Sequence, residues 1–310
     1  DYDRLSWSSS DNNVISVSGT SGVSCRMTAT GAGSATLTVR YFDTDGVTEL
    51  GVQTVNFMVQ LQVTNDSTTM PYGFIHFDRG STGATFNIST NAGQPLNWTS
   101  DNEQVATVND TGIVTAGATG GIATITGETA DRSQRVKVTV IRNIEETNMP
   151  MDIEIGPNEF FNIYENEETG TKYTNASSLN QIIIESDGEE YIVTDSSGYI
   201  KGVNAGRKSV YIYPNIDYAS YDERFAEYTP ERFAAEFGVS IPVKVRFGIS
   251  NGDLTGAVGD TVKLAVNTTA EDNKGVNWTS NNTTVATVDP SGLVTFKSSG
   301  EAMITATMDN

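Results

Sequence analysis

Acidic side chains are the residues of this chain that are abundant enough to bind ions or take part in catalysis. The 310 residues include 39 Asp and Glu against 19 Lys and Arg, one histidine (His76) and one cysteine (Cys25), for a formal net charge of −20. Catalytic Ser-His-Asp or Cys-His groups and histidine-based metal sites need more such members, so we expect no enzyme. The charge also disfavours nucleic acid, because phosphate binding depends on clustered Lys and Arg. No apolar run approaches the roughly 18 residues that span a bilayer, which argues against membrane insertion by this segment.

One acidic stretch has the composition of a calcium loop. Asp43-Thr44-Asp45-Gly46 with Glu49 resembles the first half of an oxygen-ligand loop, which makes Asp43, Asp45 and Glu49 candidate Ca²⁺ ligands. The alternative is a hairpin turn, because Asp-Gly is also a hairpin signal. Two other acidic groups could hold an ion at a domain junction: Asp187, Glu189 and Glu190, and Asp217, Asp222 and Glu223. None of these groups has the full EF-hand spacing.

Three tryptophans mark a repeated strand pattern that must position all these side chains. Residues 96–126 hold three short runs of alternating apolar and polar residues, with Asn109-Asp110-Thr111-Gly112 as a hairpin turn between two of them. Residues 276–305 repeat this text, and an earlier copy begins at Leu5. A period near ninety residues predicts one more copy around residues 182–212. The alternation places four residues on the core faces of these copies: Trp7, Trp98, Ile184 and Trp278.

The period divides the chain into four β domains. They are predicted at 1–61, lacking its opening strands; at 62–142; at 143–247, with a helical insert at about 214–240; and at 248–310, lacking its last strand. Short linkers between them favour a semi-stiff rod over freely tumbling domains. The two incomplete domains predict exposed sheet edges, which either mark a fragment of a longer array or are completed by neighbouring copies of the chain.

The insert of the third domain carries the one predicted helix. Thr229-Pro230 begins it and Gly238 ends it, in the order that suits an N-cap, a first helical position and a C-cap. Its aromatic residues predict either a lid on the third domain or a surface that docks a partner. These residues are Phe225, Tyr228, Phe233 and Phe237.

The repeated motif W-[ST]-S-x-[ND], V-A-T-V-[ND]-x-x-G-x-V-T and G-x-A-x-I-T resembles the group 2 bacterial immunoglobulin-like (Ig-like) domain. The motif is closest at residues 96–126 and 276–305, and residues 182–212 depart from it by lacking the tryptophan. The resemblance implies an all-β tandem array of Greek-key sandwiches. It also implies a non-enzymatic structural or adhesive role in an extracellular bacterial surface protein that binds a protein, a glycan or copies of itself. A phage virion protein, such as a tail or capsid appendage, and a glycan-targeting module of a larger enzyme are the alternatives.

Overall fold

A computed structural model describes residues 4–20, 22–150, 153–188, 190–268 and 275–308. Strands hold 45% of the residues and helices 7%, which confirms the all-β prediction. The chain forms two compact units: Asp1–Arg142 with Asp217–Ala226, and Asn143–Ile216 with Glu227–Asn310. Each unit contains two of the four repeats found in the sequence, and the four-domain division remains a prediction.

The first repeat has one sheet of three strands and a separate hairpin. Strands β1 (Leu5–Ser9), β4 (Gly33–Phe42) and β5 (Glu49–Val59) form the antiparallel sheet in the order β1-β4-β5. Strands β2 (Ile15–Ser18) and β3 (Arg26–Ala29) pair with each other. Val14, Ile15 and Ala35 form its small buried core.

The second repeat is a sandwich of two sheets. Its strands are β6 (Ile75–Phe77), β7 (Thr85–Asn87), β8 (Asn97–Ser100), β9 (Ala106–Val108), β10 (Ile113–Ala116), β11 (Gly121–Glu128) and β12 (Arg135–Arg142). One sheet has the order β6-β12-β11-β8, with β6 and β12 parallel, and the other has the order β7-β10-β9. Inward residues of both sheets, such as Val114, Ile125 and Val140, are fully buried between them. Alternating apolar residues thus fill a core between two layers.

The third repeat has the same topology in the second unit. Its strands are β13 (Ile153–Ile155), β14 (Phe160–Asn162), β15 (Ile182–Ser186), β16 (Ile192–Thr194), β17 (Tyr199–Gly202), β18 (Gly206–Pro214) and β19 (Val239–Val245). The sheets have the orders β13-β19-β18-β15 and β14-β17-β16, and β13 is again parallel to its neighbour. Helix α1 (Pro230–Phe237) lies between β18 and β19. The helix predicted from the Thr229-Pro230 and Gly238 signals is confirmed.

The described residues of the fourth repeat form five strands in two sheets. They are β20 (Thr261–Lys263), β21 (Val276–Ser280), β22 (Ala286–Val288), β23 (Leu293–Phe296) and β24 (Ile304–Met308), in sheets ordered β20-β23-β22 and β21-β24. Within the described residues, β24 pairs with β21 alone, whereas β11 of the second repeat pairs with strands on both sides.

The tryptophan positions lie on the half-buried strand that begins the motif in each repeat. Trp98 and Trp278 pack against the buried clusters of their repeats, and Ile184 packs in the same way. Across the sheet, Trp98 faces Gly127, Trp278 faces Ala306, Ile184 faces Ile212 and Trp7 faces Val39. The Trp7 Nε1–H donates to the carbonyl of Gly22 at 2.8 Å.

Candidate functional site

The acidic stretch near residue 45 forms the tip of the β4–β5 hairpin. The Asp45 carboxylate accepts hydrogen bonds from the backbone N–H groups of Val47 (2.9 Å) and Thr48 (2.8 Å) and from the Thr48 hydroxyl. The Thr48 side chain, followed by these backbone donors, lowers the pKa of Asp45 to about 2. Asp43 accepts from the Thr44 N–H at 2.6 Å, and Glu49 pairs with Arg40.

The three candidate calcium ligands of this tip therefore already have partners inside the hairpin. No group of three or more His, Cys, Asp or Glu residues that could hold a metal occurs in the part of the chain that the structure describes. Asp222 of the other acidic groups pairs with Arg224, whose guanidinium lowers the pKa of Asp222. Glu189 lies outside the described residues.

The aromatic residues of the insert are divided between the two compact units. Residues Asp217–Ala226, here named the aromatic segment, belong to the first unit, although the residues on either side belong to the second. Phe225 is 4% exposed, and its ring centroid lies 6.2 Å from that of Phe74 and 5.6 Å from that of Tyr72. The Tyr221 ring meets Phe74 edge-on at 5.3 Å, and its hydroxyl bonds that of Thr139. The aromatic segment is thus packed on the second repeat, whereas the lid interpretation places it on the third.

The remaining aromatic residues of the insert pack within the second unit. Phe237 is fully buried, and Phe233 stacks on Tyr213 with centroids 5.1 Å apart. Tyr228 contacts Phe233, and the Arg232 guanidinium lies 3.7 Å from the Tyr228 ring centroid. Phe225 and Phe237 are buried by contacts inside the chain, so the four aromatic residues do not form one exposed docking surface.

Most of the exposed large apolar residues lie on the first and fourth repeats. On the β4–β5 hairpin they are Val47, Leu50, Val52, Val55 and Met58, with exposed fractions from 43% to 80%. Strand β5 is also an edge strand of its sheet. In the fourth repeat, a groove of about 1220 Å³ opens beside Leu264, Phe296 and Ile304. Such apolar edges and grooves are where partners add to sheets.

The residues of possible catalytic use are scattered. Cys25 is half-buried in the first repeat. His76 belongs to the second repeat and lies 3.7 Å from an Asp78 carboxylate oxygen. None of the helices in the described residues has the length and apolar character that crossing a membrane requires.

Comparison with known proteins places one repeat in a family. Residues 245–310 match the family described as Bacterial Ig-like domain (group 2). No match is found among curated proteins.

Three solved structures are similar to the chain at low identity. They are Drosophila N-cadherin EC1-4 (12% identity, 95% of this chain, 84% of that chain, TM-score 0.21), the S-layer protein rSbsC (14%, 98%, 43%, 0.19) and invasin, described as a bacterial integrin-binding protein (16%, 98%, 69%, 0.18). The chain spans less than half of the S-layer protein.

The family match coincides with the copy of the motif that contains Trp278, and the same motif recurs around Trp98. Residues 245–310 are thus the part of the chain that matches the group 2 bacterial Ig-like domain family.

Proposed function

We propose that this chain is a non-enzymatic structural segment of a bacterial extracellular surface protein, in which tandem Ig-like domains act as a spacer. The observation that carries the proposal is repetition. Two complete sandwiches of the same strand order are accompanied by two further copies of the same motif in one chain. A repeated domain adds length without adding a new chemical site, which is what a spacer requires.

A second part of the proposal concerns contact with partners. Two surfaces could be covered by a protein, a glycan or another copy of the chain: the exposed apolar residues of the β4–β5 hairpin and the groove of the fourth repeat. The net charge of −20 disfavours nucleic acid as the partner. Adhesion would then occur at these two repeats.

Surface exposure on intact cells tests the proposal. Antibodies raised against the purified chain should label intact producing cells, and external protease should remove that label while a cytoplasmic marker persists. Label confined to phage particles would instead support the virion alternative. Label found only after the cells are lysed would overturn the proposed location.

A further inference from the structure

One asparagine holds the linker between the first and second repeats. The Asn91 Oδ1 accepts from the backbone N–H of Gln62 at 2.8 Å, and its Nδ2–H donates to the carbonyl of Gln60 at 2.9 Å. The Asn91 backbone N–H donates to the carbonyl of Gln62 at 3.2 Å. Its own carbonyl accepts at 2.8 Å from the N–H of Ala32, which precedes β4 in the first repeat. One residue of the second repeat thus bonds both the linker and the repeat before it.

The linker between the third and fourth repeats is held by the same four bonds. The Asn267 Oδ1 accepts from the Gly248 N–H at 2.7 Å, and its Nδ2–H donates to the carbonyl of Arg246 at 2.8 Å. Its backbone N–H donates to the Gly248 carbonyl at 3.2 Å, and its carbonyl accepts from the Ala205 N–H at 2.6 Å. Ala205 precedes β18 as Ala32 precedes β4, so the two joints use corresponding atoms.

A third asparagine bonds the linker at the start of the second unit. The Asn175 Oδ1 accepts from the Glu145 N–H at 2.8 Å, and its Nδ2 lies 3.5 Å from the carbonyl of Asn143. Its backbone N–H donates to the Glu145 carbonyl at 3.0 Å. In all three cases, an isolated antiparallel bridge joins the next linker residue to the residue before the asparagine. These bridges are Val63–Thr90, Glu146–Thr174 and Ile249–Val266.

Close packing accompanies the bonds at the first joint. A Cβ added to Gly31 of the first repeat would lie 2.7 Å from the Cα of Gly93 in the second, so the two backbones touch there. Leu61 is buried among Ala32, Leu96 and Val136. The Gln134 side chain accepts from the Leu61 N–H at 2.6 Å and donates to the Val59 carbonyl at 3.2 Å. A linker held on both sides in this way differs from a flexible one, which leaves its backbone solvated.

We propose that Asn91, Asn175 and Asn267 are joint residues that fix the path of each linker, and that Asn91 and Asn267 also fix the angle between consecutive repeats. An asparagine suits this role because its carboxamide presents a donor and an acceptor on one planar group. It can therefore bond an N–H and a carbonyl two residues apart in an extended linker. Aspartate has a similar shape but lacks the donor, and its charge would face the linker carbonyl. The inference rests on the proposed spacer function, because preset joints give a tandem array a defined reach.

The width of a distance distribution tests the joint in the full chain. One spin label is placed on Cys25 of the first repeat and the other on Glu103→Cys, an exposed residue of the second. The parent chain should give one narrow distribution by pulsed electron paramagnetic resonance. Asn91→Ala and the milder Asn91→Asp should widen it at least twofold.

Asn109→Ala is the matched control. Asn109 lies in the second repeat and accepts from the N–H groups of Thr111 (3.0 Å) and Ile113 (2.9 Å), without a bond to the linker. This variant loses backbone-capping bonds but should keep the parent width. Hydrogen exchange of β11 and β12 shows that the variants remain folded. A distribution for Asn91→Asp as narrow as that of the parent, or equal widening in the control, would overturn the proposal.

The second joint provides an independent measurement. In a Cys25→Ser background, labels at the exposed residues Ser196→Cys and Thr283→Cys report on the third and fourth repeats. Asn267→Asp should widen this distribution as Asn91→Asp widens the first, and an unchanged width would contradict a repeated joint. If the widths change as expected but intact cells carry no surface label, the joints stand and the proposed spacer function falls.

Discussion

The contact between Trp98 and Gly127 should make the second repeat intolerant of any side chain at residue 127. A Cβ added to Gly127 would lie 2.7 Å from Cζ3 and 2.9 Å from Cη2 of the Trp98 ring, closer than carbon atoms approach without a shift. The backbone cannot move away easily, because β11 is hydrogen-bonded to β8 on one side and to β12 on the other. Overpacking of this kind costs about 1–3 kcal/mol. Gly127→Ile should therefore destabilise the second repeat by about 3 kcal/mol, near the upper limit.

The third repeat shows how the same position accepts a large residue. There Ile184 replaces the tryptophan, and the residue opposite it is Ile212 where the second repeat has Gly127. The second repeat pairs a large ring with a residue that has no side chain, whereas the third repeat pairs two branched side chains of medium size. The double variant Trp98→Ile with Gly127→Ile copies this solution into the second repeat. Trp98→Ile alone should cost about 2 kcal/mol, because it leaves a partly unfilled core.

Native-state hydrogen exchange of β11 and β12 in the full chain measures these free energies for the second repeat. The loss of unfolding free energy in the double variant should be smaller, by at least about 2 kcal/mol, than the summed losses of the two single variants. This difference is within the range of coupling energies seen for residues in contact. Thr124→Val, three residues earlier on β11, is the control and should combine additively with Trp98→Ile. A coupling energy below about 0.5 kcal/mol would show that a smaller side chain at residue 98 does not make room for a larger one at residue 127, and would refute the steric explanation.

Two further predictions concern the aromatic segment and the acidic hairpin tip. Phe225→Ala removes a buried ring and should cost about 3–5 kcal/mol. The aromatic segment should then become a thermolysin cleavage site, while β12 keeps its hydrogen-exchange protection. Loss of hydrogen-exchange protection in β12 to the same extent as in the aromatic segment would contradict local docking. The Asp45 carboxyl should titrate near pH 2 in NMR spectra, because the bonds from Thr48 hold its folded-state pKa below the ordinary value of 3.8. The stabilisation that these bonds give is present above pH 3.8 and is lost as the pH falls through about 2. A midpoint at the ordinary value would show that the Thr48 bonds do not form. The same spectra should not change on addition of calcium, because the turn already uses these carboxylate oxygens.

Local patterns carried most of the fold prediction. Alternation over four or five residues located strands such as β8 and β21, and the Asn109–Gly112 turn joined β9 to β10 as the sequence required. The turn works because the Asn109 side chain accepts from backbone N–H groups and Gly112 adopts a φ of 82°. Both signals lie within a few residues of one another, so a single sequence displays them.

The aromatic segment could not be assigned correctly because its partners are distant in sequence. Tyr72 and Phe74 lie about 150 residues before Phe225, and alternation or helical spacing says nothing about contacts at that range. The available signal was the density of aromatic residues from Tyr72 to Phe77, more than one short strand needs for its own core face. Such an excess indicates a surface that another segment must cover.

The joint asparagines were hidden for a different reason, which also explains how three unlike linkers share one geometry. Asn91, Asn175 and Asn267 bond to backbone atoms of the linkers. Backbone partners leave the linker side chains free to differ, and the three linkers read Gln-Leu-Gln, Asn-Ile-Glu and Arg-Phe-Gly. The property that they share is an apolar central residue, which at Leu61 and Ile144 is buried. A joint of this type is therefore specified by one asparagine and one apolar residue, a signal too small to stand out in a chain rich in Asn and Thr.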